Sequence, residues 1–241
     1  MTALGILYPG HFAKDDYPRI EQLLGSDIRV DLIETGADAD PYPYPATADR
    51  TDRLERSVEA LRLSGAEAVV WADGDGGFGR GWEGAHAQVR ALARAAGMPA
   101  SSTSFGFVHA VREVGVGRVA VAAPYADETT ALFTDFLRAG GLEVAAAHSA
   151  RGATADEVAR WGERELLELA RAADTADAQA LLVPGTALHT ASHIAALEDG
   201  LGKPVLTANQ VTVWEALRLT DRRVNAPGLG ALFTREPIVQ V

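Results

Sequence analysis

The chain of 241 residues contains no cysteine, and this absence excludes several kinds of chemistry at once. Disulfides, thiolate metal sites and thiol nucleophiles all require that residue. Basic residues are also scarce, because 22 Lys and Arg stand against 33 Asp and Glu and leave a formal net charge of -11. A strongly acidic protein repels polyanions, so neither nucleic acid nor an acidic membrane is an expected partner.

Long apolar runs are missing as well. No window approaches the 18 consecutive apolar residues of a membrane span, and the beginning "MTALGILYPG" lacks the basic flank and the long apolar stretch of a signal peptide. We therefore expect a cytoplasmic protein. Only Lys14 and Lys203 accompany 20 arginines, a bias typical of GC-rich bacterial genomes. With 47% hydrophobic residues, the chain is able to bury one large core or two modest ones.

Short β-rich runs alternate with longer segments of helical period, which predicts an α/β fold with parallel sheets. Helices are expected near Tyr17 to Leu24, near Ala48 to Leu63 and from Asp156 to Ala173. The predicted strands lie in "LGILYP", "IRVDLIE", "AEAVVWA", "RVAVAAP", "LEVAAAH", "AQALLVP" and "KPVLTA".

The chain also repeats itself. "AEAVVWADG" followed by "GMPASSTSFGFVHAVREVG" runs parallel to "AQALLVPGT" followed by "GKPVLTANQVTVWEALRLT", so that Val70 pairs with Leu182, Ser102 with Thr207 and Asp73 with Gly185. Two similar half-molecules follow, and we place the first domain at residues 1–112 plus 211–241 and the second at 113–210. Because open parallel sheets bind ligands at the carboxyl ends of their strands, two facing halves predict one shared cleft.

One glycine-rich turn, "AEAVVWADGDGGFGRG", spells GxGxxG after a predicted strand, the pattern of a dinucleotide-binding turn. No acidic residue follows at the distance that a ribose requires, and Asp73 and Asp75 would oppose a pyrophosphate. A nucleotide site is therefore not predicted. The Pro-rich stretch from Thr35 to Arg50 is either a lid or, as we favour, a linker.

The segments "LGKPVLTANQVTVWEALRL" and "APYADETTALFTDFLRAGGLEV", together with the paired turns, resemble the Asp/Glu racemase superfamily, in its branch of maleate cis-trans isomerases and arylmalonate decarboxylases. The resemblance covers nearly the whole chain. It implies two pseudo-symmetric Rossmann-like domains with a ligand cleft between them. It further implies no cofactor and carbon-acid chemistry on a small carboxylate or dicarboxylate.

The resemblance breaks at the catalytic positions. Family isomerases carry one cysteine on each of the paired turns, and the decarboxylases keep the second one to reprotonate a carbanion. Read without gaps, this chain has Asp73 at the first of these positions and Gly185 at the second. Thiol-based racemisation or thiol addition to maleate is therefore excluded.

Two residues are candidates for catalysis. Asp73 follows an apolar strand, where partial burial would raise the pKa of its carboxyl and suit it to general acid–base work, although a strand-end aspartate also commonly forms a turn. His11 replaces part of the family's carboxylate grip and is either a proton shuttle or a capping residue. No metal is predicted, although the spacing of His189 and His193 would place both on one face of a helix.

Other positions are candidates for binding the substrate. Tyr125 matches a family tyrosine that donates a hydrogen bond to a substrate carboxylate, and the amides around Gly185 and Thr186 are suited to cradle an oxyanion. The full set of substrate-binding candidates is Tyr125, Gly185, Thr186, Gly74, Asp75 and Asn209.

Three functions are compatible with these residues. The first is a cofactor-independent enzyme that moves a proton or cleaves a C–C bond at the α-carbon of a small carboxylate. The second is a catalytically silent carboxylate-binding protein. The third is a hydrolase or hydratase in which Asp73 and His11 activate water. The sequence also leaves open whether the chain forms a homo-oligomer.

Overall fold

The structure, a computed structural model, describes residues 1–8, 10, 12–35, 48–73, 75–151 and 153–234, except for the side chains at 48–55, 75 and 76. Among the predicted features, His11, Gly74 and most of the Pro-rich stretch, at residues 36–47, lie outside the described residues. No helix in the described ranges is long and apolar enough to cross a bilayer.

Two four-stranded parallel sheets form the framework, with strand orders β2-β1-β3-β4 and β6-β5-β7-β8. We call the first sheet with its flanking helices the first lobe and the second sheet with its helices the second lobe. The strands are β1 (Thr2–Tyr8), β2 (Ile28–Glu34), β3 (Ala68–Trp71), β4 (Ala100–Ser102), β5 (Arg118–Ala123), β6 (Glu143–Ser149), β7 (Ala180–Val183) and β8 (Val205–Thr207). Strand β1 is buried along its whole length, as expected for a parallel strand covered on both faces.

Helices connect successive strands, and two 3-10 helices follow the last one. They are α1 (Asp16–Leu24), α2 (Ala48–Ser64), α3 (Asp75–Phe78), α4 (Gly81–Ala96), α5 (Thr103–Glu113), α6 (Asp127–Ala139), α7 (Ala155–Val158), α8 (Glu163–Ala173), α9 (Ile194–Leu201), α10 (Ala208–Leu219), η1 (Pro227–Leu229) and η2 (Ala231–Phe233). The expected α/β class is confirmed.

The strand registers confirm the internal repeat. Trp71 pairs with Ser102 in the first sheet, and Val183 pairs with Thr207 in the second. Val70 and Leu182 therefore occupy equivalent places, as the sequence predicts. Ser102 and Thr207 are also equivalent in function, because each is the N-cap of the helix that follows its strand.

Helices α5 and α10 pack against each other between the lobes. Although α10 follows β8 of the second sheet, it lies against β1, β3 and β4 of the first. Its buried residues surround nearly the whole helix, because it contacts the sheet on one side and α5 on another. The two lobes therefore share a core, and the domain boundaries drawn from the sequence stay a prediction.

One helix prediction differs from the structure, and one strand was not predicted. The helix expected from Asp156 to Ala173 is broken into α7 and α8, since Gly162 adopts an extended conformation as the N-cap of α8 and its amide binds the Glu165 carboxylate at 3.1 Å. Strand β4 carries only three residues, two of them serines, and therefore lacks the apolar run by which the other strands were recognised.

Candidate active site

The carboxyl ends of four strands meet where the lobes face each other. Tyr8 ends β1, and the turns that follow β3, β5 and β7 begin with Ala72, Pro124 and Pro184. Direct contacts link these segments. The ring of Phe78 lies 5.9 Å from that of Tyr125, whose hydroxyl donates a 2.5 Å hydrogen bond to the carbonyl of Pro184. This convergence is where the parallel topology predicts a ligand to bind.

Asp73 lies on the first of these turns and is 3% exposed. Its carboxylate accepts hydrogen bonds from the backbone amide and from the hydroxyl of Ser104, both at 3.3 Å. Ser104 is the second residue of α5, so the positive end of the helix dipole favours the negative charge. The carboxylate also needs Gly77, because a Cβ there would lie 1.4 Å from Asp73 Oδ2.

The second turn, residues 184–191, presents backbone donors. Within the described part of the chain, no protein group accepts a hydrogen bond from the amides of Gly185, Thr186 or Ala187, although Gly185 is buried. Unpaired buried amides are costly unless a ligand or water binds them. Gly185 is also tightly enclosed, since a Cβ at this position would approach Pro124 Cγ to 2.4 Å. The turn can therefore bind an oxyanion through its backbone, and it offers no side chain at Gly185.

Asn209, a predicted substrate-binding residue, lies inside the protein and is 0% exposed. Its side-chain amide donates to Asp16 Oδ2 at 3.0 Å and to the carbonyl of Leu188 at 3.2 Å, and its oxygen accepts from the hydroxyl of Tyr17 at 3.2 Å. These contacts support the second turn from behind.

Two residues that the sequence did not single out, Tyr8 and Asp16, also hold the second turn. The Tyr8 hydroxyl lies 3.1 Å from the carbonyl of Thr186, and it shares its proton between this acceptor and the carbonyl of Phe12. Burial, followed by the nearby charge of Asp16, raises the pKa of Tyr8 well above its ordinary value, so the phenol stays protonated. An aspartate at the start of a helix was the only available signal for Asp16, and it gave no hint of partners more than 170 residues away.

The remaining candidates are placed as follows. Asp75 begins α3, and its side chain lies outside the description. His189 Nδ1 lies 3.2 Å from Asp15 Oδ1, and His193 Nδ1 lies 3.5 Å from Glu163 Oε2. Both histidines precede α9, so the expectation that a helix presents them on one face is wrong.

Known structures share the fold. A maleate cis-trans isomerase of Nocardia farcinica, solved as a cysteine-to-serine mutant with a covalently bound succinylcysteine intermediate, has a TM-score of 0.85 at 20% identity, covering 98% of this chain and 99% of that one. The maleate isomerase of Pseudomonas putida S16 with maleate has a TM-score of 0.82 at 19% identity, with 97% of each chain covered. The fold is therefore that of the two-lobed maleate isomerases and arylmalonate decarboxylases.

The sequence comparisons identify the family. An arylmalonate decarboxylase of Bordetella bronchiseptica is 30% identical over 176 residues, 72% of this chain and 73% of the relative. A maleate isomerase of Geobacillus stearothermophilus is 26% identical over 137 residues, 56% of this chain and 55% of the relative. The family model for arylmalonate decarboxylase matches residues 40–233. The chain belongs to the arylmalonate decarboxylase family, and the relatives that it matches are a decarboxylase and an isomerase, whereas this chain contains no cysteine.

Proposed function

We propose that the protein is a cofactor-independent enzyme of carbon-acid chemistry on a small mono- or dicarboxylate. The open amides of Gly185 and Thr186 carry this proposal, because two neighbouring N–H groups without an acceptor fit a carboxylate or the enediolate that forms from it. In this function the two open amides, which we call the cradle, stabilise the negative charge that develops at the substrate. This charge develops when a proton leaves the α-carbon or when CO2 departs from it.

Asp73 is the proposed proton-transfer group. In the ungapped reading of the sequence, Asp73 stands at the position of the first family cysteine. Its carboxylate is buried between the end of β3 and the start of α5. Ser104 donates to both carboxylate oxygens of Asp73 at 3.3 Å, which orients the side chain at the first turn of α5 for proton transfer. In racemisation Asp73 accepts a proton from the α-carbon and returns this proton to the same carbon. In decarboxylation it instead enters the reaction protonated and donates its proton to the carbanion left after loss of CO2.

Tyr125 is the proposed second contact of the carboxylate. Its single phenolic proton is directed to the Pro184 carbonyl, so binding requires the hydroxyl to exchange this acceptor for the ligand. Because Pro184 directly precedes Gly185, this bond holds the hydroxyl beside the turn whose amides are open.

A catalytically silent carboxylate-binding protein is the second candidate. One observation favours it, namely that Asp73 is almost fully buried and bonded to the first turn of α5, as an aspartate with a purely structural role would be. The hydrolase or hydratase reading also needs His11, which lies outside the described residues.

Exchange of the α-proton of phenylmalonate for deuterium, followed by NMR in heavy water, tests the proposal. The wild type should catalyse exchange, and Asp73→Asn should reduce the rate about 10²- to 10⁴-fold with little change in affinity, since the amide fills the same space and cannot accept the proton. Asp135→Asn is the matched control, because it removes the same charge at a side chain that is 73% exposed and paired with Arg138. Exchange by Asp73→Asn at the wild-type rate would contradict the assignment.

A melting-temperature assay, combined with the exchange measurement, separates the two candidates. Malonate, maleate and phenylmalonate should each raise the melting temperature if they bind the folded protein. Binding without exchange for all of them would favour the silent protein. No thermal shift with any of them would contradict both candidates.

A further inference from the structure

The second turn is hydrogen-bonded to the opposite lobe as well as to its own. Within its own lobe, the described contacts of residues 184–191 include the bond from Tyr125 to the Pro184 carbonyl and the bond from the Thr190 hydroxyl to Thr207. From the first lobe, the Tyr8 hydroxyl reaches the Thr186 carbonyl at 3.1 Å. The conformation of the open amides therefore depends on residues that lie across the site.

Asp16 makes several of the hydrogen bonds between the first lobe and the second turn. Its Oδ2 accepts from the backbone amide of Thr190 at 2.8 Å and from that of Ala191 at 3.2 Å. The same oxygen accepts from the side-chain amide of Asn209 at 3.0 Å and from the hydroxyl of Thr190 at 3.4 Å. One carboxylate oxygen thus gathers the far end of the second turn and the start of α10.

Asn209 extends the connection to the middle of the turn. The nitrogen that donates to Asp16 also donates to the carbonyl of Leu188 at 3.2 Å, and the amide of Leu188 in turn donates to the carbonyl of Gly185 at 3.3 Å. A chain of hydrogen bonds therefore leads from the Asp16 carboxylate to the glycine whose amide is open.

We propose that Asp16 is a positioning residue, which fixes the turn of residues 184–191 so that the amides of Gly185 and Thr186 stay aimed at a bound carboxylate. This inference rests on the proposed function of the cradle. Asp16 touches no ligand in this role and acts only through Thr190, Ala191 and Asn209.

The chemistry of the site requires an acceptor more than a charge. Two backbone amides and a side-chain amide are all donors, and Asp16 is 3% exposed, so water does not replace it readily. Burial raises the pKa of the Asp16 carboxyl, while the hydrogen bonds from Asn209, Thr190 and Ala191 act in the opposite direction. An asparagine at this position keeps one acceptor oxygen, whereas an alanine keeps none.

Hydrogen–deuterium exchange of the ligand-free protein, read by mass spectrometry, tests the connection directly. We expect Asp16→Ala to speed exchange in peptides covering residues 184–191 at least 10-fold, with peptides from β5 and α6 unchanged. The exchange rate of the same peptides in Asp16→Asn should stay within about 3-fold of the wild type, because the asparagine keeps one acceptor oxygen for these donors. Asp27→Asn is the matched control, since it removes a charge from a side chain of the first lobe that is 62% exposed and paired with Arg222.

Affinity provides the readout that a general loss of stability would not move. Malonate binding, measured by calorimetry well below the melting temperature of each variant, should weaken at least 10-fold in Asp16→Ala and at most 3-fold in Asp16→Asn. If Asp16→Ala fails to fold, Asn209→Ala takes its place, because it removes the link from Asp16 to Leu188 and should speed exchange in the same peptides.

The outcomes separate this inference from the proposed function. Unchanged exchange at residues 184–191 in a folded Asp16→Ala would overturn the positioning role whether or not malonate binds, and unchanged exchange in Asn209→Ala would overturn the route through Leu188. Absence of malonate binding by the wild type would contradict the cradle, and the exchange data would then still decide whether Asp16 holds the turn.

Discussion

Ser104 and Asn209 occupy the same position in the two central helices, as the second residue of α5 and of α10, and each donates to a buried aspartate of the first lobe. Ser104 binds Asp73 through its amide and hydroxyl at 3.3 Å, and Asn209 binds Asp16 through its side-chain amide at 3.0 Å. The repeat relates the two helix positions and not the two carboxylates, because Asp73 pairs with Gly185 in the repeat and Asp16 lies on α1. Asp73 lies on the turn after β3, and Asp16 lies behind the second turn.

Activity should survive thiol reagents. The chain contains no cysteine, so iodoacetamide and N-ethylmaleimide have no thiol to alkylate at neutral pH. Exchange or turnover measured before and after treatment should agree within error. A loss of activity in a pure preparation would instead indicate modification of another nucleophile, such as a histidine.

Gly77→Ala should displace Asp73. The added Cβ would lie 1.4 Å from Asp73 Oδ2 and 2.9 Å from Ser104 Oγ, so the carboxylate must leave its hydrogen bonds. We expect the free energy of unfolding to fall by about 1–3 kcal/mol, measured by urea denaturation, together with a loss of α-proton exchange.

Gly117→Ala is the control for this substitution, because a Cβ there meets nothing within 4 Å. Its effect should stay within about 0.5 kcal/mol. Equal stability and equal activity of the two glycine variants would show that Asp73 does not need its observed position.

Tyr125→Phe should affect both stability and binding. The substitution leaves the Pro184 carbonyl without its 2.5 Å donor, which costs about 1–3 kcal/mol if no water replaces it. Affinity for malonate should fall by about 0.5–1.5 kcal/mol for a lost neutral hydrogen bond, and about twice that for a charged acceptor. Denaturation and calorimetry measure the two effects separately. An unchanged malonate affinity would remove Tyr125 from the binding site.

Acid should weaken the link between α5 and α10. Glu215 on α10 is 0% exposed, and Arg218 binds it in a bidentate manner at 2.7 and 2.8 Å, with His109 Nδ1 at 3.0 Å. Burial raises the pKa of the Glu215 carboxyl, but the hydrogen bonds from Arg218 and His109 outweigh it, and the net pKa lies below the ordinary value of 4.5. A lowered pKa in the folded state means that this stabilisation is fully present above the unfolded pKa and is lost as the pH falls through the folded one.

Glu215→Gln tests this pH dependence. At pH 7 the variant should lose about 3 kcal/mol, the lower end of the range for a broken buried pair, because Arg218 is 40% exposed and can turn to water. In urea denaturation from pH 7 to pH 3, the difference from the wild type should shrink below about pH 4.5. Glu143→Gln, which removes a pair with Arg118 on the surface, should follow the wild-type curve. A constant difference at all pH values would contradict the role of the charge.

The sequence by itself determined the framework. Seven of the eight strands were predicted from short β-rich runs, and the repeat that pairs Val70 with Leu182 predicted two similar halves, which the registers confirm. Strand β4 was the exception, because three residues with two serines carry no periodic signal. The absence of cysteine is read directly from the sequence. The pairing of Asp73 with Gly185 also followed from it, since this pairing needs only an alignment of one half of the chain with the other.

Only the tertiary structure decided how the second turn is held. Asp16 and Thr190 are 174 residues apart, and Tyr8 and Thr186 are 178 apart, so no local pattern connects them. The same holds for Asn209, whose amide appears from sequence to be a ligand contact and is used inside the protein instead. Hydrophobic periodicity reports which face of an element is buried, whereas the partner of a buried polar group depends on how the two lobes pack together.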